Sequence, residues 1–100
     1  METSQIEAFV AVVESGGFSR AATMLHLSQP AISRRITLLE QELGTELFER
    51  IHNSVIITPA GKAFLPHAQR ALAAMNDGLQ AVREIKYEAQ GTVTLAMVGT

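Results

Sequence analysis

The sequence predicts a mainly helical fold: three short helices, a β-hairpin, then one long helix. Apolar residues recur at helical spacing, and Gly16-Gly17 and Gly44 interrupt that spacing. Two proline-bearing cap signals, Ser28-Gln29-Pro30 and Thr58-Pro59, mark helix starts. Between them, the β-prone runs Leu47-Phe48-Glu49-Arg50 and Val55-Ile56-Ile57-Thr58 flank the tip Ile51-His52-Asn53-Ser54.

The first helix begins at a capping box, Ser4-Gln5-Ile6-Glu7, in which the Ser4 oxygen accepts from the Glu7 amide and Glu7 reaches back. Ile6, Phe9, Val10 and Val13 form its apolar stripe. Gly16-Gly17 ends it, because glycine enters the left-handed terminal conformation without steric cost. Ser19 is the predicted cap of a second helix over Arg20–Leu25, where Ala21 and Ala22 let another helix approach. His26-Leu27 connects it to the third, with Leu27 as a buried plug.

Ser28 caps the third helix, which puts Gln29 and Pro30 in its first turn. First-turn amides have no partner within a helix, so a proline there sacrifices nothing and supplies a helix-ready φ. The helix runs to Leu43 and stops at Gly44. With about 100° between successive residues, Ile32, Ile36, Leu39 and Leu43 share an apolar stripe. Gln29, Ser33 and Thr37 lie on another face, with Pro30 and Arg34 beside them.

The two β-prone runs form the hairpin. Thr58-Pro59 then opens a long, alanine-rich helix reaching about Tyr87, with Pro66 bending it or removing one hydrogen bond. Leu65, Ala68, Leu72, Met75, Leu79 and Val82 step by three and four along one seam. Lys86 holds the next seam position, so contact fades beyond Val82. Gln90-Gly91 breaks the pattern, and Thr92–Val98 alternates as a strand would. The organisation predicted is therefore a head over 1–58, a linker helix over 59–88, and over 89–100 a hinge and the first strand of a further domain.

Charge is uneven. The 100-residue chain carries a net charge of −2, yet no Asp or Glu occurs from Ser15 to Leu39. That window holds Arg20, Arg34, Arg35 and His26. An acid-free window with several arginines gives an acidic protein one positive face. There is no cysteine for a disulfide or thiolate metal site, and His26, His52 and His67 are too scattered for a ligand set. The N-terminus METSQIEAF has two acids and no base, unlike a signal peptide, and no apolar run approaches the roughly 18 residues of a membrane span. The sequence thus predicts a cytoplasmic protein with no membrane partner and no cofactor.

Three short helices, a hairpin wing and a long helix make a winged helix-turn-helix with a helical arm. In that geometry the N-terminal part of the third helix enters the major groove of double-stranded DNA. Gln29 can pair bidentately with adenine, Arg34 with guanine, and Ser33 with either. The amides at the Ser28-capped helix start favour a phosphate. Arg20, Ser28, Pro30, Arg35, Thr37, Arg50, His52 and Asn53 complete the predicted DNA-contacting set.

At these residues the chain resembles the DNA-binding domain of LysR-type transcriptional regulators. The matching stretches are Phe18-Ser19-Arg20-Ala21-Ala22, Leu27-Ser28-Gln29-Pro30-Ala31-Ile32-Ser33, Leu39-Glu40, Leu43-Gly44, Leu47-Phe48-Glu49-Arg50 and Thr58-Pro59-Ala60-Gly61, in order and at the family's spacing. The resemblance implies a sequence-specific regulator that forms a homodimer through the long helix and often a homotetramer. It also implies a C-terminal domain that binds a small-molecule effector. Thr92–Thr100 resembles that domain's first strand, which makes Thr100 a candidate effector contact. The family's hairpin tip is often rich in arginine. Here it is Ile51-His52-Asn53-Ser54, so the wing's grip on phosphate rests on Arg50, with neutral help from His52 and Asn53.

Other readings predict different features. A protein–protein module would present an apolar or acidic third helix, against Gln29, Ser33 and Arg34. An enzyme would carry a glycine-rich phosphate loop, a metal cluster or a nucleophile–base set, and the sequence has none. An architectural DNA binder would be strongly basic. Arg35 lies about 100° round the helix from Arg34, where DNA contact and pairing with an acid are both open. His26 reads as a turn residue and His67 as solvated. The seam of the long helix serves either a dimer or the chain's own core, and its length favours the dimer.

Overall fold

The computed structural model describes residues 1–91, with side chains through Glu88. In chain order the elements are α1 (Thr3–Ser15), α2 (Phe18–Leu25), α3 (Gln29–Leu43), β1 (Phe48–Ile51), β2 (Ser54–Ile57) and α4 (Pro59–Gly91). The predicted strand over 92–98 and Thr100 lie outside the described residues. The fold is the expected winged helix-turn-helix with a long terminal helix.

α1 is the centre of the head, touching α2, α3 and α4. Ala8, Phe9, Val10, Ala11 and Val12 are all buried, a wider face than the predicted stripe. Ile6 and Val13 are only partly buried at its edges. α1 starts two residues before the predicted box. Glu2 is its N-cap, and its amide donates to Gln5 Oε1 at 3.3 Å, so the same spacing of three is used two residues upstream of Ser4. Gly16 ends α1 at φ 90°.

The predicted Ser19 cap is also displaced. Gly17 is the cap and Phe18 the first residue of α2, because the Phe18 ring is buried against Phe48. Ser28 caps α3 as expected, its Oγ accepting from the Ala31 amide at 3.2 Å, and Gly44 closes that helix at φ 73°. Ile32, Ile36 and Leu39 are buried, while Leu43 and Leu27 are partly buried against the core.

β1 and β2 pair antiparallel in the register Phe48↔Ile57 to Ile51↔Ser54. The predicted four-residue tip therefore shrinks to His52-Asn53, with His52 at φ 56°. Two-residue hairpin loops need such a positive φ to follow the twist of the strands. Leu47 lies just outside β1. Its amide and that of Phe48 donate to Glu40 Oε2 at 2.7 and 3.2 Å, so a carboxylate late in α3 anchors the wing. Across the hairpin base, the Thr58 amide donates to the Leu47 carbonyl at 3.0 Å. Thr58 Oγ1 then caps α4 by accepting from the Gly61 amide at 3.0 Å.

α4 continues through Pro66 and ends at Gly91, beyond the predicted Tyr87, so 89–91 belong to the helix rather than to a hinge. Its seam divides. Leu65, Ala68 and Leu72 pack on the chain's own core, Ala68 with 1% of its surface exposed, which withdraws them from a second copy's helix. The last tie to the head is at Met75, whose Sδ accepts from the Thr3 hydroxyl at 3.4 Å; past it the helix leaves the head. Met75, Leu79 and Val82 are 54%, 50% and 63% exposed, and so are Ile85 and Tyr87 beyond the predicted fade point.

All four phenylalanines meet in one cluster. Phe9 lies 5.4 Å from Phe48 and 5.5 Å from Phe64, and Phe18 meets Phe48 edge-on at 5.9 Å. Gly61 lets the foot of α4 reach the wing. A Cβ there would collide with the Leu47 carbonyl oxygen and come within 2.6 Å of Ile57 Cγ1. Since the first obstacle is backbone, Gly61→Ala should cost about 1–3 kcal/mol. Calorimetry of the variant should show a lower thermal midpoint. An unchanged midpoint would mean that the Leu47 backbone shifts freely.

Candidate nucleic-acid interface

The turn between α2 and α3 sets the site. His26 ends α2 at φ 57°, and Leu27 donates its amide to the Ala22 carbonyl at 2.9 Å. This holds the chain where Ser28 can cap α3. His26 is thus the turn residue the sequence predicts. Gln29 and Pro30 emerge exposed at the helix head, Arg34 and Thr37 are exposed further along, and Ser33 and Arg35 are half-buried.

Gln29, Arg20, Arg50, His52 and Asn53 line one open concavity of about 680 Å³ between the start of α2, the head of α3 and the wing. The structure thus brings together five of the eleven predicted contact residues, from α2, α3 and the wing. Thr37 lies apart. Its hydroxyl donates to the Ser33 carbonyl at 2.9 Å, and it lines a different depression with Glu40 and Glu46. A neighbour set containing two carboxylates repels phosphate, so of the predicted set Thr37 is the residue least suited to DNA.

The four arginines of the predicted set, Arg20, Arg34, Arg35 and Arg50, differ in setting. Arg20 reaches the Ser15 carbonyl at 3.5 Å. Arg50 stacks its guanidinium over the Phe18 ring, 4.4 Å from the centroid, and donates to Ser33 Oγ at 3.1 Å. Arg50 is therefore braced against α2 and α3 as well as standing on the wing, a geometry absent from the sequence reading. Arg34 is exposed and makes no ion pair among the described residues. Arg35 likewise has no acid partner among them.

Sequence reasoning missed three contributors. Ser19 donates to Gln29 Oε1 at 3.0 Å instead of capping α2. Phe18 is the platform for Arg50. Glu40 joins α3 to the wing. Only Glu40 left a local sign, an acid directly after the buried Leu39 and one turn before the helix-ending Gly44. Among the described residues there is no group of His, Cys, Asp and Glu suited to a metal ion, and no helix long and apolar enough to cross a membrane.

Comparison with known proteins gives a consistent result. Residues 3–62 match the family model described as bacterial regulatory helix-turn-helix protein, lysR family. An uncharacterised HTH-type transcriptional regulator of Azotobacter vinelandii is 44% identical over 96 residues, covering 96% of this chain and 67% of that protein. The HTH-type transcriptional regulator TfdT of Cupriavidus pinatubonensis is 40% identical over 100 residues, all of this chain and 44% of that one. The chain thus spans only part of these relatives. Among solved structures, the DNA-binding domain of CbnR in complex with DNA superposes with a TM-score of 0.78 at 41% identity, covering 85% of this chain and 98% of that one. The BenM DNA-binding domain on its catB site 1 DNA gives 0.80 at 39% identity, covering 85% and 96%. With this fold, this capped third helix and these matches, the chain belongs to the lysR family of bacterial regulatory helix-turn-helix proteins, as a sequence-specific DNA-binding module of a transcriptional regulator.

Proposed function

We propose that the chain grips operator DNA as a dimer, with α3 of each head in a major-groove half-site and the wing beside it. The observation that carries this reading is the exposed, acid-free head of α3, where Ser28, Gln29, Pro30, Ser33 and Arg34 stand beside the arginine-bearing concavity. Gln29, Ser33 and Arg34 read base edges. Arg20, Arg35, Arg50, His52 and Asn53 position the backbone, as phosphate contacts generally do. The DNA complexes of CbnR and BenM support this docking. The protein acts by binding rather than catalysis, and it works in the cytoplasm, where a bacterial regulator meets the chromosome. Residues 92–100, with Thr100, open a domain that takes a small-molecule effector, and two dimers assemble into a tetramer.

The dimer contact is the exposed part of the seam: Met75, Leu79, Val82 and Ile85. Leu72 packs against the head, so a charge there would damage the fold as well as the dimer.

Arg34→Ala should lose about 1–3 kcal/mol of operator binding and relax selectivity at one base position, measured by titrating operator and single-base variants. Equal weakening on random DNA would assign Arg34 to phosphate instead. Two or three phosphates neutralised per head, at about −0.9 each, give the dimer a log–log salt slope of roughly −4 to −6. A slope near zero would remove the concavity from the DNA face. Replacing Leu79 and Val82 together with Glu should give monomers by analytical ultracentrifugation, with unchanged circular dichroism and most operator affinity lost, because linking two half-sites no longer helps. A folded variant that stays dimeric would exclude α4 as the contact.

A further inference from the structure

Two side chains outside the reading face act on it. The Ser19 hydroxyl of α2 donates to Gln29 Oε1 at 3.0 Å. Arg50 of β1 donates to Ser33 Oγ at 3.1 Å. A guanidinium only donates, so Ser33 is the acceptor in that bond and keeps its own proton to give. On Gln29, the bond from Ser19 turns the carbonyl oxygen towards α2. Among the described residues, neither the Gln29 NH2 nor the Ser33 proton has an acceptor. Arg34, the next polar group along the exposed face, carries donors alone.

This arrangement bears on which base Gln29 accepts. Bidentate pairing with adenine requires Oε1 to accept from the N6 amine while Nε2 donates to N7. Oε1 has two lone pairs and Ser19 occupies one, so Oε1 can join that pair only through the other, in the orientation that the Ser19 bond sets. Guanine offers O6 and N7, and thymine offers O4, so both present an exocyclic oxygen to the major groove. Adenine and cytosine present an exocyclic amine. We propose that Ser19 is a specificity-determining positioning residue: by holding the Gln29 oxygen it sets the head of α3 to donate, so that the base read there is guanine or thymine. The proposal rests on Gln29 reading a base, as argued above.

The test is selection of bound sequences from randomised DNA by the full chain, for the wild type and for Ser19→Ala, Ser19→Thr and Gln29→Ala, with circular dichroism of each. The wild type should enrich guanine or thymine at one position in each half-site, and Gln29→Ala should erase that preference. Ser19→Ala should shift the same position towards adenine by about two- to tenfold, the worth of one neutral hydrogen bond, and leave the other positions alone. Ser19→Thr keeps the hydroxyl and should match the wild type. If Gln29→Ala erases a preference that Ser19→Ala leaves intact, or if the wild type selects adenine there, the positioning role is overturned and base reading by Gln29 stands. Equal weakening on all sequences by Ser19→Ala would make Ser19 a phosphate contact and overturn the proposal. If Gln29→Ala alters no position, both the proposal and the base-reading role fall.

Discussion

The head depends on one aromatic cluster. Phe9 of α1 touches both Phe48 of the wing and Phe64 of α4, and Phe18 of α2 meets Phe48 edge-on. Aromatic pairs at such separations add to the burial of their large apolar area, so the cluster ties four elements at a single point. Its outer member also reaches the functional surface, since Phe18 carries the Arg50 guanidinium, which in turn holds Ser33. Core packing and the DNA face are therefore two ends of one chain of contacts. Glu40 adds a second, polar tie between α3 and the start of β1. Side chains held this way need little ordering when DNA arrives, and less ordering means less entropy lost on binding.

What was legible in the sequence was local. A serine before a glutamine and a proline fixes a helix start whatever surrounds it, and Ser28 caps α3 as that logic requires. Gly16 and Gly44 stop their helices for the same local reason, a positive φ that glycine enters freely. The register of the hairpin was partly legible, and it differs where Ile51 and Ser54 pair and leave a two-residue loop. The caps at Ser4 and Ser19 were misplaced because each had a competitor. Glu2 and Gln5 satisfy the same spacing as Ser4 and Glu7, and burial of Phe18 draws α2 two residues earlier than Ser19 would start it.

Most of the missed site features are tertiary. Nothing in the spacing of Ser19 and Gln29, or of Ser33 and Arg50, says that they meet. Their pairing depends on how α2 lies across α3 and how the wing folds back. The seam of α4 shows the same limit. A run of apolar residues at helical spacing identifies a buried face, and it does not say what buries it. Here the head covers the first half through Leu65, Ala68 and Leu72, and the second half is left in the open. The cut expected after Thr58 would in consequence pass through the core, since Phe64 and Ala68 complete it from the far side.

Because α4 is rooted in the head and then runs on without a break to Gly91, it behaves as a lever. Pro66, which removes one helical hydrogen bond, falls in the rooted part between Leu65 and Ala68, where packing steadies the helix. From Asn76 to Gly91 the free portion is about 22 Å long at helical rise. A tilt of about 10° at the root then carries the far end through about 4 Å by that same length. For two such levers joined along their free halves, the distance between the heads is an angular quantity. In the dimer proposed above, a small change of crossing angle at the joint would become a shift of about one base-pair step where the heads meet the duplex.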